Sequence, residues 1–219
     1  MAIENRDIVA LERLLREGAN AEAKGTNGVT PLMNAAESGQ VPLISLLLEN
    51  GSNPNAKDEQ GETALTQAAR RGYVNAVNLL AQLSDTKGKN QALFAAVEGG
   101  PVRIIGIADT PNPPPPFQPE PGGVEVSWSA TVEALLDGGA EIEARNEDGS
   151  SPLTWAAAYA QTDVFNLLID KGAKIDVRDK HGDTPLMAAA CQCALATMNS
   201  AYDVIKTLLD HGANVNTKS

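Results

Sequence analysis

Four short segments of this 219-residue chain repeat one another in register. Thr30-Pro31-Leu32 returns as Thr63-Ala64-Leu65, Ser151-Pro152-Leu153 and Thr184-Pro185-Leu186. The leucines lie 33 residues apart within each adjacent pair, 32 to 65 and 153 to 186. Gly28, Gly61, Gly149 and Gly182 each precede the Thr or Ser by two positions. An alanine pair follows each leucine: Ala35-Ala36, Ala68-Ala69, Ala156-Ala157 and Ala189-Ala190. Copies close on Leu47-Leu48 before Gly51, Leu168-Ile169 before Gly172 and Leu208-Leu209 before Gly212. A period of this length belongs to arrays of small structural repeats, each of which buries its apolar face only against its neighbours.

Every element of the repeat has a physical reading. Thr or Ser accepts a hydrogen bond at a helix start, and proline in the first helical position has no amide hydrogen to leave unpaired. The alanine pair suits a face where two helices approach closely. Gly39 and Gly72 allow the left-handed residue that ends a helix. A second helix follows, with apolar residues at helical spacing: Leu43, Ile44, Leu46, Leu47 and Leu48 in one copy, Val74, Val77, Leu79 and Leu80 in the next. The polar stretch Asn53-Pro54-Asn55-Ala56-Lys57-Asp58 then predicts a projecting turn, a finger.

The pattern Gly-x-Thr-Pro-Leu-x-x-Ala-Ala-x-x-Gly, followed by Leu-Leu-x-x-Gly-Ala, resembles the ankyrin repeat and covers nearly the whole chain. The resemblance implies an all-α ankyrin-repeat solenoid of stacked helix-turn-helix units with projecting turns. The expected organisation is a single domain over residues 1–219, with a partial first repeat over 1–25 and about five more. The family's histidine after the motif leucine is absent. Met33, Thr66, Phe94, Thr154 and Met187 stand there, which removes a buried Thr–His hydrogen bond.

Two copies depart from the pattern. Leu93 lies 28 residues after Leu65, so the finger before it, around Leu83–Gly88, is short. From Leu93 to Gly139 is 46 residues against 19 in the regular copies, which places a proline-rich insertion over 101–128 in the fourth repeat. Its centre, Pro111 to Pro121, favours polyproline II and cannot continue a helix. Its flanks, Val102–Ile107 and Val124–Trp128, are β-branched and partly alternating. An antiparallel ribbon tipped by prolines and a disordered loop both fit. From Leu186 to Gly212 is 26 residues, seven over the regular spacing. Seven residues are about two helical turns, so 191–200 is expected to lengthen the first helix of the last repeat, with Ser200 capping its second.

Composition removes several functions. Seventeen basic against 28 acidic residues, net charge −11, disfavours duplex nucleic acid and anionic membranes. No apolar stretch approaches the ~20 residues needed to span a bilayer. Two cysteines cannot staple a chain of this length, and Cys191 and Cys193 point apart on a helix, which suits neither a disulfide nor a shared metal. His181 falls in a finger and His211 in a turn. No catalytic constellation, cofactor motif or metal-ligand spacing emerges. The absence of a basic and apolar leader and the sparse cysteines favour the cytoplasm. The ordinary, unpolar final helix pair and the truncated first repeat are expected of a piece of a longer chain, or of a monomer.

What remains is a surface. In such arrays the fingers and first helices line a concave face. The positions expected there are Asn34, Glu37, Gln67, Arg70 and Arg71, and Trp155 and Tyr159, which share one helical face. Trp and Tyr are favoured anchor types in interfaces, and Arg70-Arg71 forms a basic spot in an acidic protein. Lys57, Asp58, Arg145, Arg178 and Lys180 of the fingers would steer a partner. The expected function, implied by the resemblance, is a non-enzymatic scaffold that binds a protein partner. A targeting module of a larger enzyme or effector is an alternative. Another is a proline tract that is itself the ligand of an SH3- or WW-like domain.

Overall fold

The structure, a computed structural model, describes residues 8–99, 126–192 and 198–216. They fall into two compact units: residues up to Ala96 with 126 to Ala140, and residues from Val97 to Gly99 with those from Glu141 onward.

The first unit holds α1 (Ile8–Arg16), α2 (Pro31–Glu37), α3 (Val41–Glu49), α4 (Ala64–Arg70), α5 (Val74–Ala81), most of α6 (Thr86–Gly99), and α7 (Trp128–Asp137). The second holds α8 (Pro152–Ala158), α9 (Thr162–Asp170), α10 (Pro185–Gln192) and α11 (Met198–Asp210). Helices pair as the periodicity predicts. In the first unit α2 packs on α3 and α4, α4 on α5, and the second helices α1, α3, α5 and α7 form a row. In the second unit α8 packs on α9 and α10, and α11 on α9 and α10. Both are two layers of helices around a thin apolar core. The helical fold expected from the repeat is present, and the described residues include no strand.

The core follows the register. Leu32, Leu65 and Leu153 are fully buried, as are Ala35, Ala36, Ala68, Ala69, Ala156 and Ala157. In the second helices Leu47, Leu80, Leu135, Leu168 and Leu208 occupy one register position, and all have no exposed surface. Burying each such side chain stabilises the fold by about 1.5–3 kcal/mol.

The helix starts are closed without the family's histidine. Thr30, Thr63 and Ser151 accept from the amides of Met33, Thr66 and Thr154 at 3.3, 3.3 and 3.2 Å. The residue in the histidine position completes the cap: the Thr63 amide donates to Thr66 Oγ1 at 2.7 Å, and the Thr30 amide to Met33 Sδ at 3.4 Å. The Ser151 and Thr154 hydroxyls lie 3.0 Å apart. The expected loss of a buried hydrogen bond is therefore made good within the same turn.

The turn between first and second helices needs a left-handed residue. Gly39 (φ 65°) and Gly72 (φ 73°) supply it, and an aromatic ring from further along the chain lies on each. A Cβ on Gly39 would fall 2.9 Å from the Tyr73 ring, and one on Gly72 would fall 3.2 Å from Trp128 and Val126. At the same register in the second unit stands Ala160, at φ 51°. An L-residue there is disfavoured by about 1–2 kcal/mol.

Three of the fingers share one tip. The Oδ1 atoms of Asp58, Asn146 and Asp179 each accept two backbone amides: from Gln60 and Glu62, from Asp148 and Ser150, and from His181 and Asp183, at 2.8–3.1 Å. Successive fingers are tied through the backbone. The Glu59 amide donates to the Asn27 carbonyl at 2.9 Å, and the Lys180 amide to the Asp148 carbonyl at 3.0 Å. Carboxylates add rungs: Glu22 accepts from the Asn53 amide, Glu143 from Lys174 and Asp176 from Asn214, at 2.8–3.0 Å. Burial by itself would raise the Asp179 carboxyl. The amides of Asp183 and His181, the Ser150 hydroxyl and the charge of His181 outweigh it and hold the group below its ordinary value of 3.8.

The irregular copies differ from expectation in two ways. No short finger precedes Leu93; α6 begins at Thr86 and runs 14 residues, with Asp85 Oδ1 accepting the Gly88 amide at 2.6 Å as its cap. The last repeat's second helix begins at Met198, so Ser200 lies inside it rather than capping it, and α11 is 13 residues long against nine for α3 and α9. The expected lengthening of the first helix falls on 193–197, outside the described residues. Trp128, at the end of the range expected for the insertion, opens α7 with Ser127 as its cap. Residues 100–125, with the ribbon and loop readings, lie outside the described residues. The residues leading into α7 are anchored: Val126 bridges Tyr73, the Ser127 amide donates to the Gly72 carbonyl at 3.0 Å, and Trp128 Nε1 donates to the Arg70 carbonyl at 3.2 Å.

Three outcomes follow from these geometries. Ala160→Gly should raise stability by about 0.5–1 kcal/mol, the relieved left-handed strain less the greater chain entropy of glycine; denaturant unfolding measures it. Thr131 is fully buried and its hydroxyl has no partner, at a register occupied by Leu43, Ala76, Val164 and Val204 elsewhere. Thr131→Val should therefore stabilise by about 1 kcal/mol, seen as a higher melting temperature. The lowered Asp179 carboxyl contributes stability that is complete above its unfolded value of 3.8 and is lost as pH falls through the folded value. Asp179→Asn keeps the Oδ1 acceptor, so its stability should fall less steeply than that of the parent chain on acidification below about pH 4; an equally steep fall would contradict this.

Candidate partner-binding face

The first helices present their polar positions opposite the alanine pairs. In the first unit Asn34 and Glu37 on α2 are exposed, Gln67 and Arg70 on α4 are half-buried, and Arg71 at the end of α4 is exposed. In the second unit Trp155 on α8 and Tyr159, which caps its C-terminal end, are half-buried, with ring centroids 5.2 Å apart and planes tilted by 46°. One helical turn separates them, which brings the two rings into contact.

The expected basic spot at Arg70-Arg71 is altered by tertiary contacts. Arg71 Nη2 donates to Glu37 Oε1 at 2.6 Å, which joins α2 to the end of α4, and Arg70 Nη2 donates to Glu62 Oε1 at 2.8 Å. Each guanidinium thus faces a carboxylate, and no local excess of positive charge results. The Arg71–Glu37 pair is about half exposed on both sides, at 52% and 45%, so its contribution is on the order of 0–1 kcal/mol. Its main effect is to hold two side chains in one geometry across neighbouring repeats.

The finger residues are likewise engaged. Asp58 forms the tip turn described above. Lys57 Nζ donates to Gln91 Oε1 of α6 at 3.3 Å, and Asn55 Nδ2 donates to the Leu83 carbonyl at 3.1 Å, so this finger leans on the region where its successor is missing. Arg145 Nη1 donates to the carbonyls of Gly149 and Arg178 at 2.7 and 3.2 Å. Arg178 Nη1 donates to the Gly182 carbonyl at 3.1 Å, and Lys180 Nζ to the Glu147 carbonyl at 2.6 Å. Arg145 and Arg178, 33 residues apart, do the same work in successive fingers: each closes its own loop by binding a carbonyl four residues on. Charged side chains that sequence assigns to steering are, in the fold, fasteners of the finger backbone. The 33-residue spacing of Arg145 and Arg178 is the signal that reveals this role.

Asn34, Glu37, Gln67, Arg70, Arg71, Lys57 and Asp58 belong to the first compact unit, and Arg145, Trp155, Tyr159, Arg178 and Lys180 to the second. Cys191 is exposed on α10. His181 is exposed in its finger, and His211 Nδ1 lies 2.8 Å from the Thr207 carbonyl. Among the described residues no group of three His, Cys, Asp or Glu side chains is placed to hold a metal ion, and no helix is long and apolar enough to cross a membrane.

The chain matches the family profile for ankyrin repeats, in three copies, over residues 1–92 and 126–219. Among solved structures it is similar to the ankyrin repeat domain of human ASB11, with a TM-score of 0.73 at 25% identity over 100% of this chain and 87% of that one. It is also similar in fold to an ankyrin repeat domain from Acinetobacter baumannii AYE, with a TM-score of 0.68 at 24% identity over 98% of this chain and 97% of that one. No curated protein matches it. Ankyrin repeat domains generally mediate protein–protein interactions and are typically non-catalytic. Stacked helix pairs, capped starts and tied fingers together carry the conclusion that this chain belongs to the ankyrin-repeat family.

Proposed function

We propose that the chain is a non-enzymatic protein-binding scaffold that receives its partner on the first helices and finger loops. The observation that carries this reading is the Trp155–Tyr159 pair of α8 and its C-terminal cap. Two large aromatic rings stand half-buried there, at positions where the α2 and α4 copies carry Asn34, Ser38, Gln67 and Arg71. Rigid aromatic side chains give much contact area for little lost conformational freedom, which is why anchors are so often Trp or Tyr.

The polar positions supply specificity rather than affinity. Asn34 and Gln67 offer amide groups, the Glu37–Arg71 pair offers charges held in one geometry, and net charge −11 favours encounter with a basic partner. Arg145, Arg178, Lys180 and Asp58 act one step back, by keeping the fingers that carry the contacts in shape.

The test uses the partner that co-purifies with the chain from its native source. Trp155→Ala should weaken its binding by at least ~1 kcal/mol, about fivefold in Kd, with the melting temperature little changed. Arg145→Ala should do the reverse, lowering the melting temperature first. A Trp155→Ala chain that melts early yet binds with undiminished affinity would make Trp155 a packing residue and remove the anchor from this reading.

A further inference from the structure

One ion pair of the first unit has a counterpart in the second from which the cation is missing. Arg70, in the last turn of α4, reaches back along its helix to Glu62, which directly precedes the helix cap; the two are 2.8 Å apart and both are partly buried. In the last repeat Asp183 holds the place of Glu62, directly before Thr184, whose hydroxyl accepts the Met187 amide at 3.4 Å. The places of Arg70 and Arg71 are held by Cys191 and Gln192. Asp183 is half-buried, and among the described residues it makes no ion pair. Arg145, Arg178 and Lys180 of the same unit's fingers donate to backbone carbonyls instead. Half-buried Ala188 and exposed Cys191 stand where α4 carries Gln67 and Arg70, so nothing longer than a thiol lies along the route that Arg70 takes. The neighbouring first helix, α8, packs on α10 and carries half-buried Trp155 at the register of Gln67.

We infer that an arginine side chain of the partner fills this place, pairing with the Asp183 carboxylate and lying against the Trp155 ring. The occupant follows from the chain's own example: at the same register in the first unit the group that meets the carboxylate is a guanidinium. Arginine suits the place better than lysine, because its planar fork binds a carboxylate through two N–H groups while its face stacks on an aromatic ring. Net charge −11 draws such a segment in. This inference rests on the reading of the first helices as the binding face and adds to it the chemistry of the contacting residue.

Titration of the full chain with N-acetyl-arginine amide, followed at the indole N–H signal of Trp155, tests it, with N-acetyl-lysine amide as the comparison. The expected result is a saturable shift with a Kd of about 1–30 mM for the arginine probe and binding at least ~3-fold weaker for the lysine probe. Asp183→Asn keeps the shape of the side chain, so the melting temperature should hold while the arginine probe weakens at least ~3-fold. Cys191→Arg places the chain's own guanidinium where Arg70 stands and should weaken the probe by a similar factor. A Trp155 signal that does not move up to about 100 mM probe would overturn the inference. So would equal affinity for the two probes, or an Asp183→Asn chain that binds the arginine probe as tightly as the parent. Against the co-purifying partner, Asp183→Asn should raise Kd at least ~3-fold. Binding that is lost in Trp155→Ala but unchanged in Asp183→Asn would remove the arginine and leave the scaffold reading standing; binding unchanged in both would remove the two together.

Discussion

Close approach of neighbouring first helices is the constraint on which the rest of this structure depends. A seven-residue helix such as α2, α4 or α8 is too short to be stable alone in water. It persists because two consecutive alanines let the next helix come near enough for the motif leucines to be sealed. Larger side chains at Ala36 or Ala157 would force the helices apart and unseal Leu32 or Leu153. Capping matters more than usual in helices this short, since their end groups are a large share of the whole. That is why the position after the motif leucine works as a capping position. Threonine and methionine both return a bond to the preceding Thr, and a histidine is not required.

The fingers solve a different problem. They are nearly strandless loops, and most of their charged or amide side chains are directed at their own backbone or at the neighbouring finger. Aspartate and asparagine serve equally at the tip because the function needed is an acceptor oxygen two and four residues before an amide. The first finger has Gly25 at that position and closes through its backbone alone, the Gly25 amide donating to the Val29 carbonyl at 2.9 Å. Arginine and lysine then bind carbonyls that a loop would otherwise leave to water. With a net charge of −11 the protein presents mainly negative charge, which bears on which partners approach it.

Where a copy departs from the pattern, the chain substitutes one local device for another. A missing finger before Leu93 becomes about two extra turns of α6 under an aspartate cap. Val126, Ser127 and Trp128, which lead into α7, sit on the turn between α4 and α5, where a glycine leaves room for the indole. Tyr73 performs the same covering of Gly39 one repeat earlier. An aromatic ring on a bare glycine is thus a recurring joint between successive repeats in the first unit, and Ala160 shows that the turn tolerates a strained residue in its place.

Much of this was determined by the sequence alone. The 33-residue period, the Thr or Ser caps, the alanine pairs and the leucine register specify helix pairs and their packing, because each depends on residues within one repeat and on a neighbour of the same kind. The positions on the first helices were legible for the same reason, since helical spacing decides which side chains share a face. Tertiary structure decided what depends on residues a full repeat away. Arg71 reads as part of a basic spot until Glu37, 34 residues earlier, is brought beside it. Arg145 and Lys180 read as free charges until the adjacent finger supplies carbonyls. Ala160 carries no mark of a left-handed backbone except its register with Gly39 and Gly72. Leu186 and Ala190 repeat the residue types of Leu153 and Ala157 yet are half-buried and exposed where those are sealed, because burial is set by what packs on a helix and not by its own composition.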